Sequence, residues 1–147
     1  MADTSWRETA SKQTQDDLDS MLGECISVAF KMLSKEREFY PFALTTSKDN
    51  KKTLVGTHQG EEYPLSEDVI ADLKKILIQT RDGIKVAAIV DDIKVDGKYD
   101  AIRTIMEHRE GLAFEIIVPY SISGILKKVK LGTERSTASH IEKFVWQ

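Results

Sequence analysis

The chain has 147 residues, of which 41% are hydrophobic and 31% charged, a size and balance expected of one globular domain and not of a disordered segment. A formal net charge of −3, with a pI near 5.7, argues against a general nucleic-acid binder, which carries a strongly basic face. A single cysteine, Cys25, excludes an internal disulfide and a Cys-rich zinc site.

The segment Met1 to Gln15 is polar and lacks the apolar stretch of an export signal. The longest apolar runs, Val86 to Val90 and Phe114 to Pro119 (broken by Glu115), are of strand length and too short to cross a bilayer. The expectation is a cytoplasmic protein with no membrane partner.

Residues 1–13 read as a flexible polar arm carrying Trp6, and 14–147 as a single α+β domain. A helix is predicted from Thr14, where Thr14, Asp16 and Asp17 suit the unpaired N–H groups of a first turn. Leu18, Met21, Leu22, Cys25, Ala29, Met32 and Leu33 recur at spacings of three and four and form its apolar stripe. Phe39 to Thr46 reads as a strand with Pro41 at its beginning, Ser47 to Lys52 as a turn, and Thr53 to Thr57 as the returning strand. Gly60 to Pro64 is a predicted loop.

Ser66, followed by Glu67 and Asp68, is expected to open a second helix with the stripe Val69, Ile70, Leu73, Ile76 and Leu77, and Gly83 to end it in a left-handed conformation. Three strands follow: Ile84 to Val95, Tyr99 to Arg109 and Leu112 to Tyr120, separated by Asp96-Gly97 and Glu110-Gly111. Ile102, Ile105 and Met106 also fit a helical stripe, but the flanking glycine turns and the β-branched content favour a strand. Ile122 to Leu131 fits an edge strand or a short helix, Gly132 to Ser139 is loop-like, and Ile141 to Trp146 is apolar enough to dock on the body.

The order α-β-β-α-β-β-β plus a C-terminal tail predicts a two-layer α+β fold: a mainly antiparallel five-stranded sheet with helices on one face. In topology alone it resembles profilin-like and roadblock-like modules, which assigns no function. Three segments carry a closer resemblance: Glu38-Phe39-Tyr40-Pro41-Phe42-Ala43, Asp100-Ala101-Ile102-Arg103, and Glu107-His108-Arg109-Glu110-Gly111 running into Pro119-Tyr120. Together they resemble a set of small bacterial proteins of no assigned function, over roughly residues 15 to 120. That resemblance implies no activity.

Chemistry has few places to sit. Asp91, Asp92, Glu107 and His108 fall on neighbouring strands, and a His beside carboxylates suits general acid–base work or a metal. Adjacent strand residues point to opposite faces, however, so at most one of Asp91 and Asp92 shares a face with one of Glu107 and His108. A three-residue loop at Asp96-Gly97 would set Asp91 opposite Arg103 as a cross-strand ion pair, the favoured reading. The turn His108 to Gly111 reads as a solvated hairpin tip. Cys25 lies on the helix stripe as a small buried hydrophobe, and His58 and His140 are isolated.

Lys127, Lys128 and Lys130, with Tyr120 nearby for stacking, would suit phosphates but read better as a solvated edge. No phosphate loop, dinucleotide fingerprint or nucleophile elbow is present, so no cofactor or metal is expected.

Both faces of the last three strands carry Val, Ile or Phe, and helices on one face leave the other to the C-terminal run or to a second copy. The sequence therefore favours a non-catalytic protein-interaction module that self-associates as a two-fold homodimer, with another protein as a further partner. The alternative is a small enzyme or ligand-binding domain using the Asp91, Glu107 and His108 neighbourhood. Nucleic acid is disfavoured as a partner.

Overall fold

Ser11 caps the longest helix, its hydroxyl oxygen accepting the N–H of Thr14 at 3.1 Å. The computed structural model of the chain describes residues 6–56, 65–126 and 128–147. Helix α1 (Trp6–Thr9) is a single turn and α2 (Lys12–Glu36) starts two residues before Thr14, because Ser11 supplies the cap. Residues 6–13 are not a loose arm: Trp6 is buried with its ring 5.1 Å from that of Phe114. Arg37, at φ 66°, closes α2 by donating its N–H to the Leu33 carbonyl.

Strands β1 (Phe42–Ser47) and β2 (Lys52–Val55) form the expected hairpin, with Asn50 at φ 70° in the turn. The predicted loop Gly60 to Pro64, together with His58 and Lys127, lies outside the described residues. Helix α3 (Ser66–Thr80) takes Leu65 as its cap residue, so its first turn has no side-chain cap and rests on Glu67 and Asp68. Gly83 does not turn left-handed; the chain instead tightens into a 3₁₀ turn, Arg81–Gly83.

The meander follows as β3 (Ile84–Val95), β4 (Tyr99–His108) and β5 (Leu112–Ser123). Asp96 (φ 53°) and Gly97 (φ 66°) make the first turn, and Val95 pairs with Tyr99 across three loop residues. Tyr99 to His108 is therefore a strand, not a helix. Two short strands, β6 (Lys128–Leu131) and β7 (Thr137–His140), complete the sheet.

The sheet is antiparallel throughout, in the order β2-β1-β3-β4-β5-β6, with β7 also on β5. Among the described residues it has seven strands where five were expected. The cause is the length of β5: its 12 residues leave an outer edge long enough to pair β7 at Phe114 to Ile117 and β6 at Tyr120 to Ser123.

The expectation of helices on one face is also overturned. Val86, Ala88 and Val90 of β3 pack with Leu18, Met21, Cys25, Ala29 and Leu33 of α2. The intervening Ala87 and Ile89 pack on the other side with Val69, Leu73 and Leu77 of α3. The two helices thus cover opposite faces, and β3 is buried on both, as an unbroken apolar run requires. The C-terminal segment docks as expected, with Phe144 and Val145 buried in the α3 layer.

Candidate functional site

The sheet register separates the residues that the sequence grouped. Asp91 faces Arg103 across the β3–β4 ladder, and the guanidinium donates to both carboxylate oxygens, Nε at 2.9 Å and Nη2 at 2.6 Å. This is the bidentate pair that a three-residue loop implies, and it occupies both oxygens of Asp91.

Glu107 lies on the same face, four residues along β4 from Arg103 and about 13 Å away at strand rise. It is fully buried, and its carboxylate accepts three backbone N–H groups: those of Phe144 and Val145 on Oε1, both at 2.8 Å, and that of Trp146 on Oε2 at 3.1 Å. It anchors the C-terminal segment. Asp92 is on the opposite face, where it accepts the Tyr120 hydroxyl at 2.6 Å. Burial raises the Asp92 carboxyl above its ordinary range, with Asp100 and Glu38 adding to the rise against the Tyr120 bond.

His108 is buried, not part of a solvated tip, because its side chain projects beneath the start of α2. Its Nε2 lies 3.0 Å from Asp17 Oδ2, and its Nδ1 accepts the Glu110 N–H at 3.1 Å. An accepting Nδ1 places the proton on Nε2, which therefore donates to Asp17. Asp17 Oδ1 in turn accepts Gln13 Nε2 at 2.8 Å and Lys85 Nζ at 2.9 Å, and Lys85 also donates to Asn50 Oδ1. Burial alone would raise the Asp17 carboxyl, but the bonds from His108, Lys85 and Gln13 outweigh it and hold the group below the usual carboxylate range.

A β-bulge places Lys85 in this network. Thr46 pairs with Val86 while the next residue, Ser47, pairs with Ile84, so Lys85 is the extra residue of β3. Bulges re-aim side chains in this way. The ammonium that simple alternation would send to the α3 face meets Asp17 on the α2 face instead.

Asp17, Lys85 and His108 line a cleft of about 860 Å³, rimmed by Ser11, Lys48 and Arg109. Both His108 nitrogens are engaged, and Asp17 spends its oxygens on three donors. Among the described residues, no group of three His, Cys, Asp or Glu side chains is placed to hold a metal ion.

The sequence does carry a signal for His108's partner: besides suiting the helix dipole, Asp17 sits between Thr14 and Met21 at the spacing of the buried stripe. Lys85 gave no signal, because a bulge depends on pairing with β1.

The remaining candidates fall away from chemistry. Cys25 is buried, which raises its thiol and leaves it unreactive. Tyr120 is buried and hydrogen-bonded to Asp92, so it is not free to stack on a base beside Lys128 and Lys130. His140 lies with its ring 4.8 Å from that of Phe114. Compared with models of known protein families, with curated proteins and with solved structures, the chain finds no match.

Proposed function

We propose that the chain is a non-catalytic protein-interaction module that self-associates through the edge of its sheet at β2. One observation carries this reading. Among the described residues β2 pairs with β1 alone, and Leu54 at its centre is 54% exposed. A partly apolar groove of about 800 Å³, lined by Met32, Phe39, Tyr40, Phe42 and Leu54 and also by Glu36, Glu38 and Asp92, runs beside that edge.

An open edge offers backbone donors and acceptors for strand addition, and a neighbouring, partly apolar groove takes the side chains of the added strand. Edge lysines commonly guard against such pairing, but Lys52 is turned onto α2, where its Nζ donates to Ser20 Oγ at 2.8 Å. A two-fold axis at β2 would join two sheets through one antiparallel pair. The expected dimer thus rests on an edge, since α3 and the C-terminal segment take up the cover of the second face. Hydrogen exchange tests it: protection of the amides of 52–55 that rises with protein concentration is expected, and concentration-independent exchange there would sink it.

A second reading, a ligand-binding domain or small enzyme, is favoured by the Asp17–His108 cleft alone. It requires the network to open, because no proton on His108 or lone pair on its ring is turned toward the cleft.

A further inference from the structure

The hairpin tip between β5 and β6 presents two aliphatic side chains to solvent with almost nothing against them: Ile125 is 96% exposed and Leu126 is 91% exposed. Isolated exposed apolar residues are ordinary, but an adjacent pair this far out of the body is not. The tip is held in place from below. Gly124 takes φ 77°, and its carbonyl accepts the Arg37 guanidinium at 2.9 Å, which ties the tip to the C-terminal end of α2. Ile122 and Val129, just behind it, are partly buried against the main core.

Basic side chains flank the tip. Lys128 and Lys130 are exposed on β6, and Lys35 and Arg37 close α2. Of the acidic residues of this end, Glu36 and Glu38 line the groove beside Asp92, and Asp100 pairs with Lys94 at 3.5 Å.

We propose that this tip is a contact for an anionic lipid surface, with Ile125 and Leu126 entering the headgroup layer and Lys128, Lys130 and Arg37 meeting lipid phosphates. Two considerations select a bilayer over a protein. A stable protein interface buries about 1,200–2,000 Å², which two protruding side chains do not approach, whereas a bilayer accepts a point contact. Aliphatic groups flanked by lysines also match a surface that is apolar inside and negative at its boundary. Such a contact lies on the membrane; no described helix is long and apolar enough to cross one.

The inference is independent of the β2 edge, and its failure would leave that reading intact. Co-sedimentation of the full chain with vesicles tests it, comparing phosphatidylcholine alone with a mixture containing phosphatidylglycerol. The wild type is expected to pellet with the mixed vesicles at low salt and not with the neutral ones. Lys128→Gln/Lys130→Gln is expected to weaken binding by roughly 25-fold, about fivefold per lysine. Ile125→Ser/Leu126→Ser is expected to abolish binding while melting at the wild-type temperature. Wild-type protein that stays in solution with anionic vesicles, or an Ile125→Ser/Leu126→Ser variant that binds as well as the wild type, would overturn the proposal. So would a soluble protein that binds the wild type but not this variant while the vesicles stay bare.

Discussion

Glu107 and Val145 stand 38 residues apart in sequence and are joined by a 2.8 Å hydrogen bond from the Val145 N–H to Glu107 Oε1. The same oxygen holds Phe144, and the other holds Trp146. Glu107→Gln replaces one acceptor oxygen with a donor that faces an N–H. We expect a loss of about 1.5–3 kcal/mol in chemical denaturation, the usual range for a charged hydrogen bond. Faster hydrogen exchange at the amides of 144–146 should accompany it. Unchanged exchange there would show that packing of Phe144 and Val145 holds the segment without the carboxylate.

Asp17→Asn should destabilise by about 2–3 kcal/mol at neutral pH, since it removes the charge on which His108 and Lys85 converge. The sign with pH follows from the lowered Asp17 pKa. A carboxyl depressed in the folded state contributes fully above its unfolded value, about 3.9, and loses that contribution as pH falls through the folded value. The gap between wild type and variant should therefore shrink as the pH drops below about 4. Urea titrations at both pH values decide it, and an equal gap at each would contradict the depressed carboxyl.

Asp92→Asn should have the opposite sign. The Asp92 carboxyl is raised in the folded chain, so its ionisation opposes folding above the folded pKa and costs nothing below the unfolded one. The amide oxygen can still accept the Tyr120 hydroxyl. The variant should melt higher than the wild type at pH 7, with the difference fading in acid. A lower melting temperature at pH 7 would show that the charged acceptor matters more to Tyr120 than its desolvation costs.

Leu73 is completely buried in the α3 layer, and Leu73→Ala should cost about 2–5 kcal/mol. Because α3 covers only one face, the α2 cluster should keep its protection when α3 is loosened. Hydrogen exchange of the variant reports this directly: amides of α2 that exchange as fast as those of α3 would mean that the two layers unfold as one.

The order and register of the central strands were legible because local chemistry dictates them. Asp96-Gly97 supplies two residues that tolerate positive φ, and from that loop the pairing of Asp91 with Arg103 follows by counting. The helix stripes were legible for the same reason. The side of the sheet on which each helix packs is a tertiary fact, although the unbroken run Val86 to Val90 is what two-sided burial leaves in a sequence. Strand β6 falls within Ile122 to Leu131, which fits an edge strand or a short helix, and β7 falls largely where Gly132 to Ser139 reads as loop; each has four residues and borrows its pairing from the long edge of β5. At the site, His108 read as exposed because its turn neighbours Arg109 and Glu110 are exposed, whereas its side chain reaches Asp17, 91 residues away.

Sedimentation equilibrium at micromolar concentration, on the wild type and on Leu54→Glu, tests edge-to-edge self-association most directly. The chain mass is 16.6 kDa. Pairing through β2 is expected to give the wild type twice that mass at high concentration. Leu54→Glu, which sets like charges across the two-fold axis, should sediment as the single chain with an unchanged circular dichroism spectrum. A wild type that stays at 16.6 kDa at every concentration, or a dimer that survives Leu54→Glu undiminished, would contradict self-association through this edge.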